Sequence, residues 1–128
     1  MPEFLTLEDV LFLHGDQVDL YGGSHGVRDP GLLESALAQP QATFGGSHLH
    51  GDLFEMASAY LFHIVQNHPF IDGNKRTGAV AALVFLDLNG IETNAPKGSI
   101  YELTIAVARG EAGKSEIAAF FRTHAHRD

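Results

Sequence analysis

The run His68-Pro69-Phe70-Ile71-Asp72-Gly73-Asn74-Lys75-Arg76-Thr77-Gly78 feeds directly into Ala79-Val80-Ala81-Ala82-Leu83-Val84-Phe85-Leu86, and this junction constrains the chain more than any other feature. Its first half is dense in reactive and charged side chains, and its second half is almost wholly apolar. A loop with Pro and Gly running into good helix formers predicts a helix N-terminus near Gly73 or Asn74. Unpaired backbone N–H groups and the positive end of the helix dipole gather at such a point, which suits an anion. Lys75 and Arg76 then stand in the first turn, where their sign opposes the dipole. A phosphate-bearing ligand reconciles the two. His68 adds a group that exchanges a proton near neutral pH, and Asp72 adds a hard oxygen ligand suited to Mg²⁺. A base, a metal ligand, an anion cradle and two cations in one short stretch form an inventory for phosphoryl or nucleotidyl transfer.

Each of these residues also has a plainer structural reading. His68 on its own would be a histidine capping the preceding helix; Asp72, Asn74, Lys75 and Arg76 around it turn the reading towards chemistry. Phe70 is an apolar anchor that holds the loop on the body of the protein. Gly73 suits a turn, and its missing side chain also lets phosphate oxygens reach backbone N–H groups. Lys75 and Arg76 would be an ordinary solvated pair in a basic protein. In a chain with only eight Lys and Arg, a pair at a helix N-terminus points to an anion. Arg binds phosphate bidentately and Lys acts as a point charge. A P-loop is excluded, because Gly73 and Gly78 do not produce Gly-x₄-Gly-Lys-(Ser/Thr).

Composition narrows the partners. A net charge of −8 gives no broad basic surface for nucleic acid or an anionic membrane, so neither is expected as a partner. With no cysteine there is neither a disulfide framework nor a thiol nucleophile, which fits a reducing compartment. Met1-Pro2-Glu3 is acidic where a signal peptide is basic, and the apolar run Ala79 to Leu86 is too short to span a bilayer. A cytoplasmic location is expected. At 128 residues with 45% hydrophobic content, residues 1–128 are expected to form a single domain burying roughly two-thirds of its unfolded surface.

The rest of the chain reads as helices. Thr6 caps a helix of about Leu7 to Tyr21, with Leu11, His14, Val18 and Tyr21 on one face and Gly22-Gly23 as its stop. Asp29-Pro30 opens a short helix ending before Pro40, and residues 40–51 read as loop. Asp52 and Glu55 approximate a capping box for a long apolar helix to about Asn67. The central helix follows from about Asn74 to Asn89, with Gly90 as its stop. Ser99 with Glu102 predicts another capping box for a helix ending at Arg109-Gly110, and Ser115 a cap for a last helix to about Thr123. No alternating run is long enough for a sheet. The expected fold class is all-α: a compact helical bundle of about six helices, with the motif loop between two central helices, 53–67 and 74–89.

The motif resembles the signature of Fic/Doc proteins, His-x-Phe-x-(Asp/Glu/Asn)-(Gly/Ala)-Asn-x-Arg, here as His68, Phe70, Asp72, Gly73, Asn74 and Arg76. Within that superfamily it is more similar to the Doc (death-on-curing) toxins of type II toxin–antitoxin systems. Lys75 stands where AMP-transferring Fic enzymes have Gly, and Ala79 replaces their second Arg. Tyr21-Gly22-Gly23, Asp29-Pro30-Gly31, Asp52-Leu53-Phe54-Glu55 and Phe85-Leu86…Asn89-Gly90 also look Doc-like, so the resemblance covers most of the chain. Gly73 departs from it, since Doc usually has Ala there.

The resemblance implies a kinase that moves the γ-phosphate of ATP to a Thr hydroxyl of a translation elongation factor of the Tu type, halting protein synthesis. ATP and Mg²⁺ are the implied cofactors. His68 would be the catalytic base, Asp72 the metal ligand, and Gly73, Asn74, Lys75 and Arg76 the phosphate and nucleotide contacts. It also implies that the region upstream of the motif helps to hold the target, which makes Tyr21, Gly22, Gly23 and Arg28 possible target contacts. The partner would be a cognate antitoxin with a segment that folds on the toxin. AMP transfer of the Fic type, hydrolysis with His68 activating water, and a non-catalytic binding toxin are the alternatives. His48 with His50 and His124 with His126 are weak metal signals without Cys or helical spacing, and His63 is expected to be a hydrogen-bonded core histidine.

Overall fold

A computed structural model describes residues 1–126, which form six α-helices in this stretch. They are α1 (Leu7–Tyr21), α2 (Pro30–Ala38), α3 (Leu53–Asn67), α4 (Asn74–Leu88), α5 (Ser99–Ala108) and α6 (Lys114–Thr123). Local chemistry starts the first three where the sequence predicts. The Thr6 hydroxyl accepts the Asp9 N–H and the Asp9 carboxylate accepts the Thr6 N–H, a reciprocal box that satisfies two otherwise orphaned donors. Asp29 caps α2 through the Leu32 N–H with Pro30 in its first turn, and Asp52 caps α3 through the Glu55 N–H at 2.8 Å. The Asp52 box is only half formed. The Glu55 carboxylate lies 3.9 Å from Arg122, which already pairs with Asp52 at 2.9 Å.

Helices α3 and α4 pack against each other more extensively than any other pair, and α2, α5 and α6 also pack on α3. The close crossing depends on Gly78. A Cβ there would lie 3.0 Å from Val65 Cγ2 and 3.2 Å from the Leu61 carbonyl oxygen. The core they enclose includes Tyr60, Leu61, Ile64, Phe70, Phe85, Leu86, Ile117 and Phe121, all fully buried. Burial of side chains of this size contributes roughly 1.5–3 kcal/mol each relative to exposure. Tyr60 keeps a polar partner inside the core, its hydroxyl accepting the Leu5 N–H at 2.9 Å, and burial pushes its pKa up to about 12.

The structure corrects several local expectations. Only His14 and Val18 of the four predicted α1 face residues are buried; Leu11 and Tyr21 are exposed, because α1 packs chiefly on α4 and covers a narrow stripe. Residues 40–51 are not all loop. Gln39–Gln41 is a 3-10 turn, and Thr43–Phe44 (β1) pairs antiparallel with Ser47–His48 (β2) across Gly45-Gly46, both at positive φ. Glu92–Thr93 (β3) likewise pairs with Ala125–His126 (β4). Ser99 does not cap α5: Gly98, at φ 83°, is the cap, and the Ser99 hydroxyl turns back to the Pro96 carbonyl. Nor does Ser115 cap α6, which starts two residues earlier than that cap implies, at Lys114 after Gly113, the Glu116 carboxylate accepting the Gly113 N–H at 3.0 Å.

His63 sits in a structural setting. Lys114 Nζ lies 3.3 Å from His63 Nε2. Burial, with Lys114 alongside, lowers the His63 pKa to about 4, so the ring is neutral and accepts. His63 is therefore hydrogen-bonded as expected, but half-buried rather than core. Among the described residues no group of three His, Cys, Asp or Glu side chains is arranged to hold a metal ion. No helix there is long and apolar enough to cross a membrane.

Candidate active site

The motif loop occupies the gap between the C-terminus of α3 and the N-terminus of α4. His68 closes α3 in the left-handed conformation (φ 51°, ψ 53°), the only described non-glycine residue at positive φ, with its N–H on the Ile64 carbonyl at 3.2 Å. Such a conformation costs about 1–2 kcal/mol outside glycine. Its return is directional: the chain turns sharply at the helix end and leaves the His68 side chain exposed at the mouth of a cleft.

The loop is anchored from within. Phe70 is fully buried, and the Asn74 side chain grips its backbone from both sides. The Phe70 N–H donates to Asn74 Oδ1 at 2.9 Å, and Asn74 Nδ2 donates to the Phe70 carbonyl at 3.0 Å. The Asn74 amide thus faces the loop, not the solvent, and any contact it makes with a phosphate is through its backbone N–H. His14 supplies a second anchor that sequence reasoning assigned only to a helix face. Its ring stacks on Phe70 with centroids 3.8 Å apart and planes 7° apart, and its Nε2–H donates to the Asp72 carbonyl at 2.8 Å.

Gly73 caps α4 at φ 79°. A Cβ there would meet His14 only at 3.6 Å, an ordinary contact, so the left-handed backbone rather than crowding is what favours glycine. The first intrahelical N–H bond runs from Thr77 to the Gly73 carbonyl at 3.0 Å. The N–H groups of Asn74, Lys75 and Arg76 therefore precede any intrahelical acceptor, and the first turn contains no acidic residue. The Gly73 N–H is already used, donating to Asp72 Oδ1 at 2.9 Å.

Residues 21–29 brace the loop from outside. Val27 and Phe70 form an antiparallel bridge, the Ile71 N–H donates to the Gly26 carbonyl, and the N–H groups of Arg28 and Asp29 converge on the Pro69 carbonyl. The Ser24 N–H donates to Asp72 Oδ2 at 3.2 Å. Gly23 (φ 114°) permits that contact, since a Cβ there would sit 2.7 Å from the same oxygen. The Arg76 guanidinium lies over the Tyr21 ring at 5.3 Å and reaches the Gly22 carbonyl at 3.4 Å. Tyr21, Gly22, Gly23 and Arg28, the possible target contacts, thus all touch or make room for the motif region, and Arg28 also reaches the end of α3.

Two clefts open at the motif loop. The smaller, about 290 Å³, is lined by His68 and Gln66 from the α3 end and by Asp72 to Lys75. The larger, about 530 Å³, is walled by Tyr21 of α1, Ala79, Val80 and Leu83 of α4, and Ile100 and Tyr101 of α5. Asp72, Gly73, Asn74 and Lys75 belong to both. The set suits a triphosphate with a divalent ion. Asp72 is exposed on the shared wall, and its carboxylate has about four lone-pair sites, of which two hold backbone N–H groups. Mg²⁺ is commonly held by one or two carboxylates plus phosphate oxygens and water, not by an all-protein cage.

A profile described as the Fic/DOC family matches residues 4–86, from the strand of chain before α1 through the motif and most of α4. The chain belongs to this family. It is similar to a protein named Toxin Doc from Mycolicibacterium smegmatis, 44% identical over 92 residues, covering 72% of this chain and 68% of that protein. It is also similar to Protein kinase doc from Escherichia phage P1, 35% identical over 119 residues and 92% of each chain. The helical architecture, with the signature loop between α3 and α4, is the compact Fic/Doc fold, and the two relatives put this chain on the Doc side of the family.

Proposed function

We propose that this Doc-type toxin transfers the γ-phosphate of ATP to a Thr hydroxyl of a translation factor of the elongation factor Tu type, and so arrests protein synthesis. The single observation that carries the kinase reading is the pair Lys75 and Ala79 on the larger cleft. Positions 76 and 79 share a helix face, so an Arg at 79 would extend the cation row one turn down α4. Ala79 leaves that wall uncharged. Lys75 instead lines both clefts, and an outer phosphate in the smaller one would sit beside His68. The phage relative's name, a protein kinase, supports the same direction.

In the proposed reaction the Thr oxygen attacks the γ-phosphorus while the bond to the β–γ bridging oxygen breaks, releasing ADP. The His68 imidazole takes the hydroxyl proton. The N–H groups of Lys75 and Arg76, with their cationic side chains, stabilise charge on the transferred group. Mg²⁺ on Asp72 would neutralise phosphate oxygens and hold them in place. ATP labelled at the α- or γ-phosphate, incubated with the factor, tests this. Label from the γ-position on one Thr, with a phosphate mass, is the expected result. Label from the α-position with an AMP mass would restore the adenylyltransferase reading that Gly73 favours, and turnover without any protein product would favour hydrolysis.

We further propose that the partner is a cognate antitoxin whose disordered segment folds as an amphipathic helix against the larger cleft, whose wall between α1, α4 and α5 is rich in apolar side chains. Co-expression of the neighbouring small reading frame should restore growth and copurify with this chain. A neighbour that neither binds nor protects would remove this partner.

A further inference from the structure

We infer that Arg28 is the positioning residue for His68, and not a target contact. Three successive carbonyls at the end of α3 are each held by an atom of this one residue. Arg28 Nη2 donates to the Asn67 carbonyl at 3.0 Å, Nε donates to the His68 carbonyl at 2.7 Å, and the backbone N–H donates to the Pro69 carbonyl at 2.7 Å. The last carbonyls of a helix have no intrahelical partner and carry its negative dipole end. The last turn of α3 contains no basic residue of its own. The cation therefore arrives from the segment before α2, far away in sequence. The planar fork of Arg suits two adjacent carbonyls in a way a Lys ammonium does not.

What these bonds hold is the backbone on both sides of His68, the one described non-glycine residue at positive φ. A strained residue persists only where its surroundings over-determine it. Here the carbonyl ahead of His68, its own carbonyl and the one after it are all fixed by Arg28. Asn67 is held additionally through Nδ2 to the Leu32 carbonyl at 3.0 Å. The direction of the His68 side chain follows from this backbone, because no side-chain hydrogen bond among the described residues anchors the imidazole itself. Arg28 thus acts on the proton transfer through His68 geometry, without reaching the substrate.

The inference rests on the kinase reading for its rate measurement and stands apart from it in a second readout. Arg28→Met keeps the stem and removes the fork; Arg28→Lys keeps the charge alone. In the γ-phosphate transfer assay, Arg28→Met should lose about 10- to 100-fold in kcat, the scale of a misplacement near 1 Å, with KM values for ATP and for the protein acceptor within about twofold. Arg28→Lys should recover part of the loss. With ¹³C-labelled histidine, the His68 ring signal, identified by its absence in His68→Ala, should broaden or split in Arg28→Met while the other histidine signals stay in place. A folded Arg28→Met protein with unchanged kcat and an unchanged His68 signal would overturn the inference. So would a raised acceptor KM at constant kcat, which would make Arg28 a target contact. Should the wild-type chain transfer no phosphate at all, the kinase reading fails, and the His68 signal still decides whether Arg28 holds it.

Discussion

Replacing His68 by Ala is expected to abolish growth arrest in bacteria expressing this chain, and to lower phosphate transfer by at least about 100-fold, the usual lower bound for losing a positioned general base. The substitution should leave the fold intact. His68 is exposed, its imidazole makes no hydrogen bond among the described residues, and the bonds that set the loop use its backbone. Ala at a left-handed position is no easier than His, so stability should fall by no more than about 1 kcal/mol, the scale of that conformational preference. The measurement pairs growth after induction with the soluble level and melting temperature of the variant. Arrest that persists undiminished with a folded His68→Ala protein would rule out catalysis by this residue and leave a non-catalytic binding toxin.

The sequence carried the helices wherever a cap was chemical and local. Thr6, Asp29 and Asp52 announce three helix starts, and Gly90, at φ 86°, marks the stop after α4. It misplaced the caps of α5 and α6, because Ser99 and Ser115 look like caps while a backbone turn at Gly98 and a Glu116 carboxylate already do that work. The short strand pairs were invisible, since two-residue strands have no alternation to detect. The motif was legible as a group, but the direction each side chain faces was not. Asn74 reads as a phosphate ligand by type and turns inward to Phe70. His14 reads as a helix-face residue and instead supports the loop by stacking and by one hydrogen bond. Arg28 reads as a possible target contact, and its side chain closes the end of α3. Each role depends on contacts across many residues of chain, which local pattern cannot reach.

Asn74→Ala is expected to disable the site by loosening the loop, not by removing a ligand. The residue is 5% exposed, and its amide satisfies both backbone groups of the fully buried Phe70. Deleting the amide leaves a buried N–H and a buried C=O without partners, at about 1–3 kcal/mol each before relaxation. A net loss of roughly 2–4 kcal/mol would lower the melting temperature of a domain this size by about 8–15 °C. Activity should fall further than the folded fraction alone, because Phe70 carries His14 on its face and His14 holds the Asp72 carbonyl. Asn74→Asp separates the two effects. Its carboxylate can still accept the Phe70 N–H, and its charge suits the helix N-terminus, so it should be the more stable of the two variants. It cannot donate to the Phe70 carbonyl, and it adds a negative charge beside the phosphate cradle, so KM for ATP should rise. Thermal melts of both variants, with rates corrected for the folded fraction, provide the test. A wild-type melting temperature in Asn74→Ala would show that the loop holds its shape without the amide, and Asn74 would return to the reading of a direct phosphate ligand.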